Sequence, residues 1–227
     1  MSPQKSLLKN LWEKEWLPYA FPFALFLLFT EPSRFLPDLA PYLYICKTIL
    51  IGGLLWFWRK QYGQDFSSRL SLSEILTSLA CGLLVLLIWI VPDGFLYQLE
   101  QSAVFDPYSL GESQAAFYTL ISIRLMGAVL VVPIMEELFW RSFIMRYLIN
   151  PDFRSLPMGT FSWLSFLGVA VLFGLEHHLI GAGIIAGLLY GGLLVWQKNL
   201  KGVILAHAVT NLGLGIYVIR TGKWIFW

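Results

Sequence analysis

Apolar residues run along this chain in long blocks separated by short polar stretches, without the strict alternation that marks a half-buried strand. Crossing the hydrocarbon core of a bilayer takes about 20 mostly apolar residues in a helix. Blocks at 16–30, 40–58 and 73–91 predict three anchor-like helices, the first of them short, with Lys47 the one charge inside the second. A fourth block begins near residue 115, contains Arg124, passes through Pro133 into Glu136, Glu137 and Arg141, and stays helix-like to about residue 149. It is too long for one perpendicular span, and Pro133 is expected to bend it or break it. Three further spans follow at 161–178, 181–196 and 203–219.

The chain thus predicts an all-α, polytopic transmembrane helix bundle of about seven spans, or eight if the fourth block splits at Pro133. Charge placement orients it. Lys5, Lys9 and Lys14 precede the first span, Arg59, Lys60 and Arg69 follow the second, and Arg141, Arg146 and Arg154 end the fourth. The 92–115 connection carries Asp93, Glu100, Asp106 and Glu112 but no lysine or arginine. Positive residues favour the cytoplasmic side, so the N-terminus is expected there and the 92–115 connection on the opposite side. Seven spans keep Lys198 and Lys201 on the cytoplasmic side as well, whereas eight would not. Residues 1–114 read as scaffold helices and 115–227 as the part of one membrane domain that carries the polar residues. Pro18 and Pro22 in the first apolar block, with no small-residue cleavage site after it, argue against a cleavable signal.

Composition agrees with lipid as the main solvent. Of 227 residues 57% are hydrophobic and 13% charged, about half the charged share of a soluble domain, and the mean hydropathy is +0.67. A net charge of +2, gathered into topology signals, gives no nucleic-acid footprint. Cys46 and Cys81 each lie in an apolar segment and form no CxxC pair, so they are expected to act as small buried hydrophobes. Glycines 181, 183, 187, 191 and 192 mark the sixth span as one that packs closely against a neighbour.

An ionisable group at bilayer depth costs on the order of 2.5–3.5 kcal/mol on insertion scales, which makes each such residue a functional candidate. Arg141 stands four residues after Glu137 and shares its helix face, while Glu136 is turned about 100° away and faces a different neighbour. His177 and His178, preceded by Glu176, close the fifth span, and at most one of the two histidines is expected to face the cavity of Glu136. His207 and Asn211 share a face of the seventh span. Singly, each cluster reads equally well as structural glue between helices. Together they supply a carboxylate and imidazoles able to take a proton from water, and donors able to hold an oxyanion. Glu136, His177 and His207 are equally able to ligate a divalent metal such as zinc with water in the open position, so the residue types leave the cofactor open between zinc and none.

Glu136-Glu137-Leu138-Phe139-Trp140-Arg141, then Phe173-Gly174-Leu175-Glu176-His177, then His207-Ala208-Val209-Thr210-Asn211, in this order on successive spans, resemble the motifs of the CAAX protease and bacteriocin-processing family of intramembrane proteases. The wording around the motifs further resembles the bacterial group associated with exosortase systems. The resemblance covers residues 115–219. It implies catalytic roles for Glu136 and His177 in activating water, an oxyanion-stabilising pair in His207 and Asn211, and a supporting ion pair in Glu137 and Arg141. It leaves metal dependence undecided, since members have been described both ways. Ser142 stands where many members have glycine, and the HxxxN span is the last one predicted.

The resulting expectation is an endopeptidase of the bacterial inner membrane. It is expected to act on a membrane-anchored or lipid-modified peptide and to contact membrane lipid. A non-catalytic scaffold or immunity-type binding protein is the alternative, and a proton-relay transporter is disfavoured because the sequence shows no inverted repeat.

Overall fold

A computed structural model describes residues 14–36, 39–91, 107–109, 111 and 113–226; most of the 92–115 connection, Lys5, Lys9 and Trp227 lie outside these residues. The described residues form an all-helical bundle. Its elements are α1 (Leu17–Phe35), α2 (Ala40–Phe57), α3 (Leu72–Ile90), α4 (Gln114–Tyr147), α5 (Trp163–Leu175), α6 (Ile180–Gln197) and α7 (Leu200–Thr221). Five of these are long and apolar enough to cross a membrane, and α5 and the apolar part of α1 are shorter. Large apolar side chains such as Ile49 (69% exposed), Trp56 (69%) and Leu164 (77%) point away from the bundle. Such a surface is stable against lipid and not against water, and the chain is an integral membrane protein.

The fourth apolar block is one helix of 34 residues, which settles the count at seven apolar helices among the described residues. Pro133 does not break it. The helix widens into a π turn at Gly127–Val131, just before the proline, and again at Leu138–Ile144. Each wider turn shifts the hydrogen-bond register by one residue, which lets a long helix absorb a proline and re-aim the side chains that follow.

Local sequence sets the helix ends. Ser71 and Glu74 cap α3 reciprocally, Asn199 caps α7 by accepting from the Lys201 N–H, and Gly222 closes α7 with φ of 68°, a left-handed conformation that suits glycine. α5 and α6 pack through small residues. A Cβ on Gly183 would lie 2.9 Å from Gly174 Cα, one on Gly187 2.8 Å from Ala170 Cα, and one on Gly191 3.0 Å from the Phe166 ring. That four-residue stripe lets the two backbones approach as closely as helices in lipid require. Gly192 lies off the stripe, with nothing within 4 Å of a built Cβ.

One end of the bundle gathers the basic residues. Tyr62 donates to Pro18 O, Arg154 to Gln61 O, and Asn199 to Arg69 O, while Lys198 lies beside Gly159. Lys14, Arg59, Lys60, Arg69, Arg146, Arg154, Lys198 and Lys201 therefore belong to segments that meet at one end, as the charge pattern predicts. A buried network anchors that end. Asp65 accepts from Tyr19 (2.6 Å), Ser142 (2.9 Å) and Arg146 (2.9 Å), and Arg146 also donates to the carbonyls of Ser142 and Leu156. Ser142 is thus a polar link between α4 and the 58–71 connection. The cysteine expectation also changes: Cys46 is exposed on the apolar surface and Cys81 half-buried, both as free thiols.

Candidate active site

Glu136 and Glu137 sit between the two π turns of α4 and are 6% and 0% exposed. Glu137 Oε1 accepts from Arg141 Nη1 at 3.1 Å and from His207 Nδ1 at 2.8 Å. Both contacts fall on one carboxylate oxygen, with His207 donating in the tautomer that carries its proton on Nδ1. Arg141 is fully buried with its guanidinium 4.2 Å from the centroid of Phe173 and 5.4 Å from that of Tyr190. The two rings replace part of its lost hydration. Tyr190 also stacks on the His207 ring, with centroids 5.2 Å apart.

Glu136 behaves differently from its neighbour. It accepts no hydrogen bond from a described residue: its Oε2 lies 3.9 Å from His207 Nε2, beyond hydrogen-bond length, and is buried without a partner, as the second oxygen of Glu137 also is. The two glutamates, which helical geometry turns apart, therefore address opposite edges of the same imidazole. His207 serves both because its two nitrogens point in divergent directions, a relation that spacing along one helix does not show.

His177 follows the end of α5. Its Nδ1 is 2.7 Å from Phe173 O. A carbonyl can only accept, so that bond puts the proton on Nδ1 and leaves the lone pair on Nε2. Glu176, whose role the sequence leaves open, accepts from the Trp140 indole N–H at 3.1 Å. Ligand atoms of Glu136, Glu176 and His177 lie within 4.8 Å of one another. His178 packs against Trp89, as His177 does, but is not part of this group. Glu176 thus joins Glu136 and His177 in a convergent donor group, while His207 keeps its Nε2 3.9 Å from Glu136 Oε2. Glu176 was detectable as a third ionisable group at bilayer depth, yet nothing in its sequence position told which way it faces.

Asn211 lies one turn beyond His207 on α7, and its Nδ2 donates to Ala128 O at 2.7 Å. Ala128 belongs to the first π turn, where Val132 N–H already bonds Gly127 O five residues back. The next donor in that register would be the N–H of residue 133, which proline lacks. One amide hydrogen of Asn211 fills the gap; the second is left over.

The six residues expected to form the site are thus within one bundle interior. Glu136, Glu137, Arg141 and His207 make a continuous polar cluster, His177 joins it through Glu136, and Asn211 ties the glutamate helix to α7. Such a set can hold and deprotonate water beside a peptide carbonyl. In comparisons with known proteins, no curated protein and no solved structure matches the chain. Residues 117–213 match the profile described as type II CAAX prenyl endopeptidase, Rce1-like. The stretch that carries all six residues is therefore similar to the CAAX family of membrane endopeptidases.

Proposed function

We infer that this chain is an intramembrane endopeptidase that hydrolyses a peptide bond of a membrane-associated protein or peptide, with residues 115–227 as catalytic core and 1–114 as scaffold. The observation that carries this reading is the contrast between the two glutamates. Glu137 Oε1 accepts from both Arg141 and His207, whereas Glu136, buried beside it, accepts from no described side chain and holds its Oε2 3.9 Å from His207 Nε2; the Oε2 atoms of both glutamates are buried without a partner. A protein that kept these residues only as glue would be expected to pair both.

In the proposed reaction Glu136 takes a proton from water, aided by His177, and the water oxygen bonds to the peptide carbonyl carbon. The protonated form of His207 donates from Nε2 to the developing oxyanion, with the leftover Asn211 hydrogen as a second donor. Collapse breaks the C–N bond, and Glu136 returns the proton to the leaving amine.

Access for water is supported by the length of α5. Its 13 residues rise only about 20 Å, less than the roughly 30 Å hydrocarbon core. The turn at 176–179 then lies at membrane depth, where irregular backbone is tolerated when it lines a polar cavity. The shared basic end supports a cytoplasmic N-terminus, and the motif wording supports placement in a bacterial inner membrane. A lipid-modified peptide is the substrate class the family suggests.

The test is cleavage of a panel of quenched fluorescent peptides, with and without a lipidated C-terminal cysteine, by the detergent-purified protein. Cleavage by wild type that disappears in Glu136→Gln is the expected result. Turnover surviving in Glu136→Gln overturns the role of Glu136, and a panel left intact by wild type favours a non-catalytic membrane protein.

A further inference from the structure

At the basic end of the bundle the 58–71 and 148–162 connections leave a cleft of about 220 Å³ between them. A water in the liquid takes about 30 Å³, so the cleft has room for a phosphodiester group. Its floor is the Asp65–Arg146 pair, 2.9 Å apart and buried, whose charges cancel. Both Asp65 oxygens are engaged, one by Ser142 and Arg146 and the other by Tyr19. Arg154 lines the wall, half-buried, with Nη2 donating to Gln61 O at 2.9 Å. A guanidinium carries five N–H donors, and that bond takes one of them while fixing the plane of the group. Among the described residues Arg154 forms no ion pair, so it gives the cleft a net positive charge. Gln64, exposed on the opposite connection, adds a side-chain amide.

The cleft lies at the level of lipid headgroups. Trp56 and Phe57 are exposed at the end of α2, just before the first connection, and Trp163 and Leu164 are exposed at the start of α5, just after the second. Exposed tryptophans of a membrane protein concentrate at the boundary between hydrocarbon and water. Basic pockets at that depth take anionic headgroups, and a guanidinium fork matches two phosphate oxygens at once. The acyl chains of a lipid seated there would run down the apolar surface that begins at Trp163 and Leu164.

We propose that this cleft binds the phosphate of an anionic phospholipid, with Arg154 and Gln64 as donors from the two connections. The occupant then bridges the connection that follows α2 to the one that follows α4, and braces the end of the bundle held by Asp65. The inference is independent of the peptidase reading.

The test is native mass spectrometry of the full chain released from mixed micelles of phosphatidylglycerol and phosphatidylcholine in equal amounts. Wild type is expected to retain one phosphatidylglycerol in preference to phosphatidylcholine, and to melt at a higher temperature with it. Arg154→Gln is expected to cut that preference about tenfold, the loss of one charge-assisted contact. Gln64→Glu puts a negative charge into the cleft at an exposed position and is expected to do the same, with the melting curve of the lipid-free protein unchanged; it keeps the site testable should the arginine variant fold poorly. Arg220→Gln, at the far end of α7, is expected to retain the preference. Equal retention of the two lipids by wild type overturns the site, as does a preference unchanged in both cleft variants or lost in Arg220→Gln. Inorganic phosphate separates the two sources of the group: if it displaces the lipid and raises the melting temperature equally, the cleft is a free-phosphate site and the lipid assignment is overturned.

Discussion

The side-chain amide of Asn211 donates over 2.7 Å to the carbonyl of Ala128, the acceptor that Pro133 leaves without a backbone donor. The motif asparagine and the proline five residues beyond Ala128 are therefore one structural unit. Asn211→Ala strands a half-buried carbonyl and is expected to destabilise the protein by about 1–3 kcal/mol. Pro133→Ala restores an N–H at the same place. The double variant is expected to recover most of the thermal stability of wild type in detergent melts without recovering cleavage, since the oxyanion donor stays missing. No recovery in the double variant would separate the two residues.

Glu136→Gln removes a buried carboxylate that lacks a hydrogen-bond partner and keeps its volume. Functional residues of this kind cost stability. The apparent melting temperature is expected to stay level or rise while peptide cleavage is lost, and a fall of several degrees would assign Glu136 a structural role instead.

Arg141 offers the opposite outcome. It is 0% exposed and balances Glu137. Arg141→Ala leaves a buried charge uncompensated, at a cost of about 3–5 kcal/mol. The double change Arg141→Met with Glu137→Gln removes both charges and is expected to be milder. Comparing the two by thermal unfolding in the same detergent checks this ordering.

At the basic end, Asp65 accepts from Tyr19, Ser142 and Arg146. Asp65→Ala strands the buried Arg146 guanidinium and is expected to cost about 3 kcal/mol. Limited proteolysis should then cut the 58–71 connection faster than in wild type. Asp65→Asn, which keeps acceptor capacity, should lie between the two.

The α5–α6 seam gives a purely steric prediction. A Cβ at Gly187 meets the backbone of Ala170 at 2.8 Å and 3.0 Å, whereas one at Gly192 meets nothing within 4 Å. Gly187→Ala is expected to force the helices apart and cost about 1–3 kcal/mol, and to weaken any function of His177 at the end of α5. Gly192→Ala should be neutral or slightly stabilising, as a helical glycine replaced by alanine. Melting curves of the two variants decide it.

Sequence by itself determined the solvent, the helices and the candidates. Apolar blocks of near-bilayer length fix spans because the backbone must satisfy itself in lipid, and the basic clusters fix which ends lie together. Three polar motifs in apolar blocks marked Glu136, Glu137, Arg141, His177, His207 and Asn211 because charge at depth is costly. Tertiary structure decided what these groups do to one another. Whether Pro133 split the fourth block depended on π turns and on an amide from α7, 78 residues further along the chain. That both glutamates meet one imidazole, that Glu176 faces the site beside Glu136, and that Asp65 holds Ser142 and Arg146 all depend on contacts between distant helices. Periodicity along one helix states which side a residue is on; only the packed bundle states what occupies that side.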